Sequence, residues 1–281
     1  MKRGYLLIIL ISLSTLELVA QSIESTLVYA NEQFEVGNYQ NSALAFERVI
    51  FFSEGKVDFS VYTKLADSYR LNNNAERAIK FYDIAQYQAD NDSARNEIIF
   101  RKVFTYLQLK EFDQGLIALF DLKTNSNEQT QFRKEYLKGI IYYLKDDYER
   151  SIDVFDEYLS LQEKEALKFN ELKNQLKKAE NIKPNLAMWL SVFIPGSGQM
   201  LYGDFKDGLN SMMLTAAFVT LYFNYVMDFS LVEGYLVVLP WFQRYHRGGY
   251  QNAKENALEK QELIRSKVYQ ELVLMHPEKI K

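Results

Sequence analysis

The sequence predicts an all-α protein in three parts: a stack of helix pairs, a small transmembrane helical hairpin unit, and an amphipathic C-terminal helix. Three observations point there. The small residues Ser42, Ala78, Gly115 and Ser151 recur at steps of 36, 37 and 36 residues, each followed four positions later by a large one: Phe46, Tyr82, Leu119 and Phe155. Apolar runs crowd between Leu186 and Phe242 and break at Pro195-Gly196-Ser197-Gly198-Gln199. Apolar positions at helical spacing then continue through Ala257, Ile264, Val268 and Leu272.

Residues 1–20 have the pattern of a secretory signal peptide. Lys2 and Arg3 precede an apolar run from Tyr5 to Ile11, and Leu18-Val19-Ala20 ends in a small residue. The run is too short and too interrupted, by Ser12, Ser14 and Glu17, for a comfortable span, which needs about 20 apolar residues. An uncleaved signal anchor is the alternative. Either way the positive end stays cytoplasmic and the following segment is expected on the far side of the inner membrane.

Residues 21–160 contain four aligned helix–turn–helix segments. They run Ala30…Gly37-Asn38-Tyr39…Ser42…Phe46, then Ala66…Tyr69…Ala78…Tyr82…Ala85, then Val103…Tyr106…Phe112…Gly115…Leu119, and last Gly139…Tyr142…Tyr148…Ser151…Phe155. A small residue where two helices cross lets their backbones approach, and the large residue one turn on fills the adjoining hole. This pattern resembles the tetratricopeptide repeat family. The repeats run two or three residues longer than usual, lack the customary closing proline, and have Val103 where a small residue is expected. The resemblance implies a curved solenoid that binds a protein or peptide in its groove, with Tyr62, Tyr69, Tyr106 and Tyr142 as groove candidates or, alternatively, core tyrosines.

Residues 161–183 read as one helix with Ala166, Phe169, Leu172 and Leu176 at helical spacing, suited to cap the stack. Pro184 marks the expected domain boundary.

Residues 184–247 are expected to form a membrane domain of two to three spans. Gly208 to Met227 carries no charge, and its 20 residues would cover about 30 Å of hydrocarbon. Pro195 ends a helix by removing a donor, while Gly196 and Gly198 permit close backbone approaches. Ser197 and Gln199 can satisfy the freed backbone groups, which lipid cannot. The stretch Pro195-Gly196-Ser197-Gly198-Gln199-Met200-Leu201-Tyr202-Gly203 is similar to the P-G-x-G-Q-x-x-Y-x-G signature of small membrane domains in bacterial envelope proteins. Gln199 and Tyr202 read either as hydrogen-bond staples or as the lining of a pocket for a lipid headgroup or peptide. Glu233 is the one acid inside an apolar run and marks either a functional group or an interface turn.

Residues 248–281 form the tail. Gly248-Gly249 is expected to loosen the chain before an amphipathic helix that lies on the membrane or packs on the arm. Residues 244–281 hold 8 bases and 5 acids, whereas residues 21–160 hold 16 bases and 23 acids. An acidic arm and a basic tail do not suit a nucleic-acid binder.

Chemistry is sparse. The chain has no cysteine, and its two histidines, His246 and His276, both lie near the C-terminus. No phosphate loop, nucleophile elbow or metal signature occurs. The expectation is a non-enzymatic scaffold or assembly protein of the bacterial cell envelope without cofactor or metal, its arm in the periplasm, with a protein or peptide partner and membrane lipid. The alternative is a lipid- or small-solute-handling membrane protein whose site is the Pro195–Tyr202 break, with the repeats regulatory.

Overall fold

A computed structural model describes residues 22–123, 128–159, 163–202 and 205–275. The signal segment, Gly203 and His276 lie outside the described residues. All regular structure among the described residues is α-helical. The chain divides into two compact units, Met1–Ser151 and Ile152–Lys281.

The first unit contains α1 (Ile23–Glu35), α2 (Tyr39–Phe52), α3 (Phe59–Leu71), α4 (Ala75–Gln88), α5 (Asp92–Leu109), α6 (Phe112–Phe120) and α7 (Glu128–Leu144), and it ends in the first turn of α8 (Tyr148–Leu159). Helices from α1 to α7 pack each on the next, and α3 also touches α5. Side-chain caps start several of them: Asp58 accepts from the Ser60 amide at 2.8 Å, and Asn91 from the Ala94 amide at 2.8 Å.

One turn geometry recurs within the four helix pairs, and once more after α2, where Glu54 has φ of 53° and the Gly55 amide reaches the Ile50 carbonyl. Gly37, Asn73, Lys110 and Asp146 each take a left-handed conformation, with φ of 78, 58, 59 and 60°. The amide after each of them closes the same six-residue ring: Asn38 to Gln33, Asn74 to Tyr69, Glu111 to Tyr106 and Asp147 to Tyr142. Inside the hairpins Ser42, Ala78, Gly115 and Ser151 are buried, as are Phe46, Tyr82, Leu119 and Phe155.

A polar ladder joins alternate helices. Lys64 of α3 reaches Asn31 of α1, Arg101 of α5 reaches Asp67 of α3, and Arg133 of α7 meets Glu97 of α5 at 2.7 Å. Asp67 is buried and also accepts from the Tyr82 hydroxyl at 2.5 Å. Burial beside that carboxylate pushes the Tyr82 phenol well above the ordinary tyrosine range.

The second unit holds α9 (Glu163–Glu180), α10 (Pro184–Phe193), α11 (Ser197–Tyr202), α12 (Phe205–Asp228) and α13 (Leu231–Met275). The 45-residue α13 is its spine: α9, α10, α11 and α12 all pack on it. Pro184 opens α10, as a residue without a free amide should. Ile182, Ala187, Ala253 and Ala257 form a buried cluster, with Tyr202 and Ile264 against it.

Three expectations change here. Gly248-Gly249 does not loosen the chain, because α13 runs through it and through Pro240 without interruption. Gly249 instead sits against α12, where a Cβ would stand 3.2 Å from Ser211 Oγ. The connector helix and the tail pack on each other, with Gln261 Nε2 donating to the Ala179 carbonyl at 2.9 Å and Lys168 pairing with Glu271 at 2.8 Å.

The third concerns the spans. Among the described residues no helix is long and apolar enough to cross a membrane. Asn210, Asn224 and two tyrosines dilute the apolar content of α12, and on α13 the apolar stretch between Glu233 and Arg244 is only ten residues long.

Candidate functional site

The glycines of the Pro195–Tyr202 break are contact points. Gly196 has φ of 90° and abuts Gly208 so closely that a Cβ there would fall 2.1 Å from the Gly208 carbonyl oxygen. A Cβ on Gly198 would fall 1.9 Å from the Ala187 carbonyl oxygen and 2.7 Å from Ser191 Oγ. The missing side chains therefore let α11 wedge between α10 and α12. Ser191 Oγ takes the Gly198 amide at 3.0 Å, satisfying one donor that the break exposes.

Gln199 clamps the break to α13. It is 4 % exposed, and its Nε2 donates to the Gly249 carbonyl at 3.1 Å. That carbonyl can only accept, so it fixes the orientation of the amide. Gln199 Oε1 is then left buried with no hydrogen-bond partner among the described residues. Tyr202 packs against the Ile182–Ala257 cluster, and Pro195 sits in the bend between α10 and α11.

Gln199 lies at one edge of a cavity of about 590 Å³ between α12 and α13. Asp207, Asn210, Ser211, Arg244, Asn252 and Asn256 supply its polar lining, and Phe218, Trp241 and Tyr245 its apolar lining. A second cavity of about 240 Å³, lined by Phe218, Val219, Tyr222, Tyr235, Val238, Leu239 and Phe242, shares Phe218 with the first.

The two helices run antiparallel in a readable register. Gly234 faces Tyr222 and Val226, the Phe218 ring meets those of Phe242 at 6.3 Å and Tyr245 at 5.9 Å, and Gly249 faces Ser211. The polar cavity thus lies toward the Ser211–Gly249 end and the apolar one toward the loop between the helices.

Glu233 belongs to that loop as a cap. The Glu233 amide donates to Ser230 Oγ at 3.2 Å, and that hydroxyl donates to Glu233 Oε2 at 3.2 Å. It starts α13 and does not line the cavity.

Around this pair of helices the surface is apolar. Exposed residues include Trp189, Phe193, Met213, Val219, Phe223, Met227, Leu231, Val232, Leu236 and Trp241, with Met227 83 % and Phe193 79 % exposed. Soluble monomers seldom show more than a few hundred Å² of contiguous apolar surface.

The four tyrosines of the arm divide. Tyr62 and Tyr69 are buried: Tyr62 donates to the Gly55 carbonyl at 3.3 Å, and Tyr69 donates to Glu47 at 2.5 Å while taking a bond from Arg77 at 2.9 Å. Burial and the Glu47 carboxylate push the Tyr69 phenol up to about 12. Tyr106 and Tyr142 are half-buried, the latter under the Arg150 guanidinium at 5.4 Å. More open is a cavity of about 600 Å³ that includes Tyr87, Phe120, Arg95, Lys102 and Lys123, where Tyr87 is 87 % and Phe120 75 % exposed.

Sequence reasoning passed over Asn210, Arg244, Asn252 and Asn256. They join Gln199 only through the α12–α13 register, although an uninterrupted α13 would have aligned them. No protein-family model and no curated protein matches this chain.

Proposed function

We propose that the chain is a membrane-anchored, non-enzymatic scaffold of the bacterial envelope, with a tetratricopeptide-like arm in the periplasm that holds a protein partner. The observation that carries this reading is the exposed, uncharged surface of α12. From Gly208 to Met227 no charge occurs, and most of these side chains are open to the surroundings apart from the stripe facing α13. A helix so exposed in water would carry charge on its outer face, whereas lipid favours the composition seen.

The α12–α13 hairpin is the lipid-embedded element. Its outer surface is apolar on both helices, from Leu209 to Met227 and from Leu231 to Trp241, while Arg244 and Arg247 form a basic collar for anionic headgroups. Asp228 and the Ser230–Glu233 cap stand at the loop. Two packed helices share the insertion that neither is long and apolar enough to make alone.

The arm's role as a solenoid rests on the recurring left-handed turns, the aligned small residues and the ladder between alternate helices. Its contact surface is assigned to the cavity beside Tyr87 and Phe120, where exposed aromatics stand among Arg95, Lys123, Asp121 and the Lys102–Asp83 pair and suit an apolar-anchored peptide of mixed charge.

Membranes from cells expressing the full chain provide the test. The account expects the protein to resist alkaline carbonate and to need detergent for release. It also expects cross-linking from position 87 or 120 to capture a defined partner that is lost on charge reversal at Arg95 and Lys123. Release by carbonate alone refutes the anchoring.

A further inference from the structure

The paired cavities between α12 and α13 carry an inference that deepens the membrane reading and rests on it. We propose that they form a binding site for a zwitterionic amino-phospholipid, with the headgroup in the polar cavity and an acyl chain in the apolar one.

The geometry has both halves of an amphiphile. The polar cavity, of about 590 Å³, has four side-chain amides in its lining: Gln199, Asn210, Asn252 and Asn256. The apolar cavity, of about 240 Å³, is built from aromatic and aliphatic side chains, and the Phe218 ring forms part of both. A molecule seated in the two at once needs a polar end and a hydrocarbon end joined at Phe218.

Charge narrows the class. Arg244 and Asp207 are the ionised groups of the lining, one of each sign, and no hydrogen bond or ion pair engages either of them among the described residues. A phosphodiester matches Arg244, and a primary ammonium matches Asp207. An anionic lipid without an amine would satisfy Arg244 and leave Asp207 opposed to its charge.

Place agrees with chemistry. Trp241 stands 65 % exposed at the junction, an amphipathic ring where apolar surface gives way to polar lining. Asp207 and Arg244 are exposed side chains, so neutralising them does not remove a core contact.

The test uses the full chain in detergent and reads lipid retention by native mass spectrometry, with phosphatidylethanolamine and phosphatidylglycerol of the same acyl chains as competing probes. Flotation with vesicles of each lipid is measured in parallel. Wild-type protein is expected to retain phosphatidylethanolamine about fivefold over phosphatidylglycerol, the discrimination one partly exposed charge pair supports. Asp207→Asn is expected to abolish that preference with flotation and thermal midpoint unchanged, and Arg244→Gln to lower retention of both lipids with the thermal midpoint unchanged.

Equal retention of the two lipids by wild-type protein that still floats overturns this site and leaves the membrane reading intact. Equal binding of free phosphoethanolamine, with no gain from acyl chains, overturns the lipid assignment in favour of a small solute. Failure to float with any vesicle overturns the membrane reading and this proposal together.

Discussion

Ser151 Oγ donates a 2.9 Å hydrogen bond to the carbonyl oxygen of Gly139, twelve residues earlier on the facing helix. Ser42 makes the same bond to Ala30 at 3.0 Å, again across twelve residues. Between them Ala78 and Gly115 hold the same place without a hydroxyl. The position demands smallness in every helix pair and uses a hydrogen bond only where one is offered.

Ser42→Ala and Ser151→Ala are therefore expected to cost about 1 kcal/mol each, because the facing carbonyl keeps its place within its own helix. Ser42→Leu is expected to cost more, about 2–3 kcal/mol, by overpacking a fully buried crossing. Urea denaturation followed by circular dichroism reads both. Equal losses for alanine and leucine would show that closeness is not what the site selects.

Glycines of the two units are predicted to respond oppositely to alanine. A Cβ on Gly115 meets Ile141 Cδ1 at 3.5 Å, ordinary contact, so Gly115→Ala is expected to be neutral or to stabilise by up to about 1 kcal/mol through helix propensity. A Cβ on Gly198 would stand 1.9 Å from a backbone oxygen, so Gly198→Ala is expected to separate α10 from α11. Protease protection of the α10–α12 region checks the second and thermal unfolding the first.

Lys110 keeps a left-handed φ of 59° where the first turn has Gly37. Lys110→Gly is expected to raise stability by about 0.5–1 kcal/mol, the relief of Cβ strain less the entropy of a freer unfolded chain. Thermal midpoints of the two proteins decide it.

Tyr69 links stability to alkaline pH. Its folded-state pKa is raised to about 12 from the ordinary 10, so the folded protein holds this proton after the unfolded chain has lost it. The contribution is complete below pH 10 and is lost as pH rises from 10 toward 12. Tyr69→Phe is expected to make that part of the pH–stability profile less steep, with Tyr82 keeping its own share of the slope, measured by urea midpoints from pH 9 to 11.5.

Much of the helical fold was legible because its signals are local. The small and large residues of the arm are spaced by the repeat itself, and Pro184 announces the start of α10. What escaped was contact at a distance. Nothing within the Pro195–Gln199 segment reveals that Gln199 reaches Gly249, fifty residues on.

Local signals also misled. Gly248-Gly249 read as a loosened joint, yet α13 continues through it, and through Pro240, because α10, α11 and α12 pack along its length and outweigh a propensity cost of a few kcal/mol. Tyr62 and Tyr69 share helix α3 and are buried, whereas Tyr87 at the end of α4 is open; the repeat spacing alone does not separate these cases.

The most direct test of the account is the environment of α12. The chain has no cysteine, so single cysteines at Met213, Val219 and Phe223 can each carry a nitroxide without further mutation. In reconstituted vesicles the account predicts relaxation by oxygen and shielding from a water-soluble nickel chelate at all three, and the reverse at Tyr87. Ready access of the nickel chelate to positions 213, 219 and 223 would contradict it.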